Sequence, residues 1–422
     1  MNKKSTLATA LMLLALTMSS CSSTKKLSDN SNASKLPDSE VLDENFLVLT
    51  DQQRDYVTRN NDFAFKFFNA LSGFDSKVTS PLSASYLLGM LANGAGGGTK
   101  EEILRVLEAN GLSVEDINAF YKELTEKQSS LDNSTKINIA NYVAVNRNSK
   151  LKKDFVSAVE SNYNAKVEAL DFSSANAATH INDWCKKQTD GMIPNIIDNT
   201  NADDLSYIMN AIYFNGTWQK KFNTKETKEE RFRGYTRDMK RVSMMHQEER
   251  FMYTANETYS TVRLPYGNGA YFMTVMLPNE GKSISDMLQN IDAKTFTDLY
   301  FKAEECVVDL KLPRFTTEVK MPLNDIIAKL GAPSIFKGSA DFSKFADGNF
   351  HISKMLQKAK IEVNEKGTKA AAVTAGIMTM SAFDPEEPKH VNFHADRPFV
   401  YVISERSSGA IFFIGQFTGD EL

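Results

Sequence analysis

The sequence predicts an α+β fold, and three observations carry that expectation. Helix signals dominate up to Thr189, and strand signals dominate from Tyr259 onward. Between them, Leu205 to Phe214 (LSYIMNAIYF) is apolar almost throughout, as in a central strand buried on both faces. Helices first and strands later, with some mixing, describe helices packed around one or more antiparallel sheets.

The elements follow in order. Asn61 to Leu71 (NDFAFKFFNAL) concentrates Phe63, Phe65, Phe67 and Phe68 in a buried helical segment, and Asn60-Asn61-Asp62 offers helix caps. Ser80-Pro81 opens a buried helix that runs to Ala95, with proline in the first turn. Gly96 to Gly98 ends it, and Thr99-Lys-Glu-Glu102 starts another. Ile137 to Asn146 alternates as a strand does. Asp154 to Asn164 and Ala178 to Thr189 read as helices. Strands then follow in TVRLPY, AYFMTVMLP, CVVDLKLPRF, KIEVNE, RPFVYVIS and GAIFFIGQF.

The chain has 422 residues, enough for two or three average domains, yet no second linker and no repeat interrupts residues 46–422. One domain is expected there. The formal charge of −4 gives no basic surface for nucleic acid. Three Cys and five scattered His leave no disulfide framework and no multi-cysteine metal site, so neither metal nor cofactor is expected.

The N-terminus reads differently. Lys3 and Lys4 precede an apolar run from Leu7 to Met18, too short to span a bilayer as a mature helix. Ser19 and Ser20 lead directly to Cys21. This resembles a bacterial lipoprotein signal, which implies cleavage of residues 1–20 and lipidation of Cys21. Met18 stands where such signals more often carry Leu. Removal of 1–20 takes away two lysines and shifts the formal charge to −6. Residues 21–45, rich in Ser, Asn, Lys and Asp, have the composition of a flexible tether. The protein is therefore expected to be exported and anchored in the outer membrane by its lipid alone, on the periplasmic side or at the cell surface.

Seven segments occurring in order across 46–422 make the reading specific. They are NDFAFKFFNAL, TSPLSASYLLGMLANGAGGGTKEEI, INDWCKKQTDGMIPNII, NAIYFNGTWQKKF, LKLPRF, NEKGTKAAAVTA and RPFVYVISERSSGAIFFIGQF. Together they resemble the serpin family. That resemblance implies three β-sheets, about nine helices and an exposed reactive-centre loop near the C-terminus. It also implies suicide inhibition of serine proteases, with cysteine proteases as a further target class, by a monomer that is not an enzyme. The alternative is a non-inhibitory serpin acting as a binding or scaffold protein.

The loop can be read from its residues as well. Ile361 to Glu365 alternates like a strand, Gly367 supplies hinge freedom, and Thr368 to Gly376 (TKAAAVTAG) follows. If the loop enters a sheet, every second residue faces the core. From Thr368 these are Ala370, Ala372, Thr374, Gly376, Met378 and Met380, none of them charged. Lys369 falls on the other face, with Val373, Ala375, Ile377 and Thr379. Ala370, Ala371 and Ala372 would favour helix, but Thr368, Val373, Thr374 and Gly376 oppose it.

Family spacing from the hinge Glu365 places the reactive bond at Ser381–Ala382, or at Met380–Ser381 in a loop shorter by one residue. Small and medium apolar residues there suit elastase-like or subtilisin-like enzymes. No Lys or Arg lies between Lys369 and Lys389, which argues against trypsin-like targets, and Phe383 leaves a chymotrypsin-like cut open. The resemblance further assigns Ser80, Ser83 and Asn210 to a polar cluster beneath the main sheet, with Gln357 where the family carries His. Trp218 falls at the top of that sheet, and Arg314 falls where a base pairs with Glu365. An exposed pair there would contribute only ~0–1 kcal/mol.

Rival chemistry is weak. His390 and His394 have zinc-like spacing but lack the metalloprotease glutamate. The run GAGGGTK at 94–100 lacks both the Gly-Lys-Thr order and the preceding strand of a phosphate loop. Cys185 and Cys306 read as buried thiols, with a disulfide between them left open.

Overall fold

A computed structural model describes residues 46–71, 73–128, 130–236, 238–368 and 387–420. The signal, the tether and Cys21 lie outside the described residues. So do Ala370, Ala371, Ala372, Thr374, Met380, Ser381 and Ala382.

Among the described residues there are nine α-helices. They are α1 (Asp51–Ala70), α2 (Pro81–Gly94), α3 (Gly97–Val106), α4 (Val114–Lys127), α5 (Lys153–Tyr163), α6 (Asn176–Gln188), α7 (Ile284–Leu288), α8 (Ala293–Lys302) and α9 (Asn324–Leu330). The strands are β1 (Lys77–Thr79), β2 (Thr135–Asn146), β3 (Lys166–Leu170), β4 (Ser206–Thr217), β5 (Lys228–Arg233), β6 (Met239–Ala255), β7 (Tyr259–Tyr266) and β8 (Tyr271–Pro278). They continue with β9 (Glu304–Pro313), β10 (Phe315–Pro322), β11 (Lys354–Asn364), β12 (Gly367–Thr368), β13 (His390–His394), β14 (Phe399–Glu405) and β15 (Ile411–Phe417).

The strands form two hydrogen-bonded networks. One has the order β10-β11-β12-β4-β2-β3. The other runs β1-β15-β14-β8-β7-β6-β9-β13, with β5 also on β6. The three expected sheets are visible in this arrangement. β6 is so long that Met239–Met244 pair with β5, Met244–Tyr253 with β9 and Met252–Ala255 with β7, which joins two sheets into one network.

The start of α1 departs from the expectation at Asn60-Asn61-Asp62. The helix begins nine residues earlier, where Thr50 and Gln53 form a capping box. Asn60 and Asn61 are buried inside the helix and bond Ser85 Oγ and the Gly409 carbonyl, both at 2.9 Å. Their amides serve tertiary contacts, which a local cap signature cannot distinguish. Ser80 does cap α2, accepting from the Ser83 N–H at 3.1 Å, with Pro81 at the first helical position. Helix α2 is buried on nearly every side and lies against both β4 and β15.

Ahead of α1, Leu47 and Leu49 are buried in the main core. The Leu47 N–H donates to Ser407 Oγ at 3.0 Å, and the Phe46 ring lies 5.0 Å from the Arg406 guanidinium. This short segment is clipped to the turn between β14 and β15. Cys185 and Cys306 are free thiols, both buried, so no disulfide joins them. Burial pushes the Cys185 thiol up to about 12, against a smaller opposite pull from Lys358.

Candidate functional site

The six-stranded sheet has an irregular centre. β4 and β11 run parallel to each other and pair directly from Tyr207–Tyr213 against Lys354–Lys360. Beyond Tyr213 and Lys360 they part, and β12 enters the gap between them. Gly367 and Thr368 pair antiparallel with Asn364 and Val363 on one side, and with Thr217 and Gly216 on the other. A sheet built largely of antiparallel pairs, with β2–β3 parallel at one edge, thus holds a parallel seam at its centre, the slightly weaker arrangement per residue. Its mouth is filled by two residues of a strand antiparallel to both neighbours.

The turn that feeds β12 is tightly held. Trp218 Nε1 donates to the Asn364 carbonyl at 2.9 Å, and the Trp218 N–H to the Lys366 carbonyl at 3.0 Å. The Phe222 N–H reaches the Glu365 carbonyl at 3.0 Å. Gly367 has φ +142°, and a Cβ there would lie 2.1 Å from the Gly216 carbonyl oxygen. Only glycine fits that backbone and that approach. Thr368 is fully buried already, not an outlying loop residue, and its hydroxyl lies 2.8 Å from the Tyr266 hydroxyl.

Glu365 and Arg314 form an ion pair, and Thr227 Oγ1 donates to the same carboxylate oxygen at 2.7 Å. The pair is buried on the carboxylate side only. The Glu365 side chain is 6% exposed and Arg314 47%. Burial alone would raise the Glu365 carboxyl. The hydrogen bonds from Arg314 and Thr227 outweigh it and hold the group below its usual range.

Deeper along the seam, Gln357 on β11 stands opposite Asn210 on β4, which stands opposite Asn141 on β2. Gln357 Oε1 accepts from Thr79 Oγ1 at 2.6 Å and from the Ser80 N–H at 3.1 Å, while its Nε2 donates to the Ser80 carbonyl at 2.7 Å. Asn210 turns to Asn141, donating at 2.7 Å, and Asn141 donates to the Tyr163 carbonyl at 2.8 Å. Ser80 and Gln357 are therefore joined directly. Asn210 is their neighbour across the seam without bonding to them. Ser83 meets the cluster only through its backbone, since its buried hydroxyl has no hydrogen-bond partner. Sequence reasoning missed Thr79, Asn141, Thr227 and Tyr266. Of these only Thr79, beside Ser80, carried a local signal.

His390 and His394 both lie on β13. His394 Nε2 and His246 Nε2 each bond a different oxygen of Asp309, at 3.1 and 2.7 Å. Among the described residues no group of His, Cys, Asp or Glu is arranged to hold a metal ion.

The Serpin (serine protease inhibitor) family profile matches residues 58–419. The chain belongs to the serpin family. It is 32% identical over 381 residues to the leukocyte elastase inhibitor of Equus caballus, covering 86% of this chain and 98% of that protein. The human leukocyte elastase inhibitor is 33% identical over 376 residues, covering 85% and 98%. Among solved serpins, the crystal structure of the thermophilic serpin tengpin in its native state aligns with TM-score 0.78 at 28% identity, covering 86% of this chain and 94% of that one. Arabidopsis AtSerpin1 in the native stressed conformation aligns with TM-score 0.77 at 26% identity, covering 87% and 98%. Thyroxine-binding globulin in complex with thyroxine aligns with TM-score 0.78 at 25% identity, covering 87% and 100%.

Proposed function

We propose that this serpin inhibits serine proteases by covalent trapping, and that the parallel seam between β4 and β11 is the berth its cleaved loop enters. The antiparallel wedge of Gly367 and Thr368 in the mouth of that seam carries the reading. A strand continuing from Thr368 replaces one parallel pairing by two antiparallel ones, each new ladder bond contributing about 1 kcal/mol net. In the reaction the protease serine oxygen attacks the carbonyl of the residue before the reactive bond. The peptide C–N bond breaks, the amine on the C-terminal side leaves with a proton, and an ester joins protease and serpin. Insertion then competes with water for that ester. The inhibitor supplies no catalytic group of its own.

In this reading Glu365, Gly367 and Thr368 are the hinge, with Ala370, Ala371, Ala372 and Thr374 the residues that follow it into the sheet. Ser381–Ala382 is the reactive bond and Met380–Ser381 the alternative, which favours elastase-like or subtilisin-like targets. Trp218 and Arg314 hold the mouth of the seam, while Ser80, Ser83, Asn210 and Gln357 lie beneath it. Residues 1–20 are an export signal, and Cys21 carries the lipid.

The test is incubation of the mature protein with elastase-like, subtilisin-like and trypsin-like proteases. A denaturant-stable complex is read on gels, and the released C-terminal peptide gives the cut by mass. Cleavage without complex formation by every enzyme would sink the inhibitory reading and favour a binding serpin. Labelled fatty acid should enter the wild-type chain in a lipoprotein-processing bacterium and not Cys21→Ser.

A further inference from the structure

We propose that Tyr266 is a positioning residue for the hinge: its hydroxyl seats Thr368 in the gap between β4 and β11, so that insertion begins from an anchored first residue.

Tyr266 ends β7 and thus belongs to the larger network, yet its side chain reaches the mouth of the seam. The residue is fully buried. Two rings fix its orientation. Trp218 stacks on it at 4.3 Å with 13° between planes, and Phe214 meets it edge-on at 4.9 Å. With the ring locked, the hydroxyl has one position, 2.8 Å from Thr368 Oγ1. The chain makes room for this ring at Gly216, the β4 partner of Thr368, where a Cβ would come within 2.8 Å of both Tyr266 and Phe214. The same Trp218 that stacks on Tyr266 holds the Asn364 and Lys366 carbonyls. One aromatic stack therefore fixes both the turn before β12 and the last hinge residue in the sheet. Burial pushes the Tyr266 phenol well above its usual range, partly offset by Thr368, so it remains a neutral hydroxyl at working pH.

The consequence rests on the trapping reading. Pairing the first residues of a new strand is the costly step, because it orders backbone before later contacts reward it. A seated Thr368 has that step behind it before the protease arrives. An unseated one must complete it while water attacks the ester, and more inhibitor is then consumed as ordinary substrate. Protease docking at the reactive bond does not involve Tyr266, so the association rate should not change.

The experiment compares wild type, Tyr266→Phe, Thr368→Val, Thr368→Ser and the Tyr266→Phe/Thr368→Val double variant, against a protease that the wild type traps. Molecules cleaved per complex formed should rise by up to about fivefold in Tyr266→Phe and in Thr368→Val, the factor expected for one hydrogen bond of ordinary net strength. The double variant should be no worse than either single one, because both remove the same bond. Thr368→Ser should restore near wild-type partitioning, and association rates should stay within about twofold throughout. Wild-type partitioning in Tyr266→Phe, or additive effects in the double variant, would overturn the assignment. Should Tyr266→Phe fail to fold, the Val and Ser variants of Thr368 decide alone. If the wild type traps no protease, the inhibitory reading fails. Amide exchange at Gly367 and Thr368 then tests the seat by itself: about fivefold faster exchange in Thr368→Val supports it, and unchanged exchange refutes it.

Discussion

Gln357 stands where the resemblance implies histidine, and its contacts explain how an amide serves there. It accepts two hydrogen bonds and donates one around Thr79 and Ser80. Gln357→Ala should lower stability by roughly 1–3 kcal/mol, since it orphans the buried Ser80 N–H and Thr79 hydroxyl, and thermal unfolding would read the loss. Gln357→His should add a pH dependence the native residue lacks. A charged imidazole buried there without a carboxylate is unfavourable, so the gap in melting temperature between variant and wild type should widen as pH falls through about 6.5. Glu365 also weakens toward acid, but in a lower pH range. Its carboxyl is depressed in the folded state, so its anchoring is fully present above the ordinary value of 4.5 and fades as pH falls through the lower, folded-state value. Hinge protection against limited proteolysis should be flat from pH 8 to about 5 and decline only in stronger acid. Arg314→Ala should move that decline to higher pH. Residue spacing within the family placed Glu365, Arg314 and Gln357 in the sequence. Thr227 and Tyr266 were illegible because each meets the hinge across more than a hundred residues. No periodicity encodes such a contact.

At the scale of elements, the sequence revealed those whose burial pattern is extreme. β4 is buried along almost its whole length, and α2 nearly all round. The start of α1 was obscured because its Asn and Asp residues imitate a cap while bonding neighbouring elements. The long β6 was not legible at all. Its Met, Arg, Glu and Gln residues follow the alternating demands of three different partner strands along seventeen residues. β12, two residues long, carries no strand signal of its own and exists because β4 and β11 diverge to receive it. Thr368→Arg should therefore do more than hinder insertion. It places a cation in a fully buried position of the native sheet, converting inhibitor to substrate and lowering native stability as well. Retained trapping in that variant would mean that the buried face of the loop has been misassigned. Gly367→Ala should also be destabilising, through its positive φ and the close Gly216 carbonyl.

For the molecule as a whole, the proposed mechanism makes the six-stranded sheet a structure one strand short of its most stable form. Cleavage in the loop by a non-target protease should therefore raise the melting temperature, by at least about 10 °C if some ten new ladder bonds form. Calorimetry of intact and cleaved protein checks this, and an unchanged or lower value would remove the driving force on which trapping depends. The clip at Leu47 and Leu49 has a mechanical consequence. Any pull arriving along the chain at Phe46 loads first the Leu47–Ser407 bond on the β14–β15 turn and the two leucines buried in the core. A chain tugged from its N-terminus would thus load the larger network first, and the seam proposed to receive the cleaved loop would not be the first point to yield.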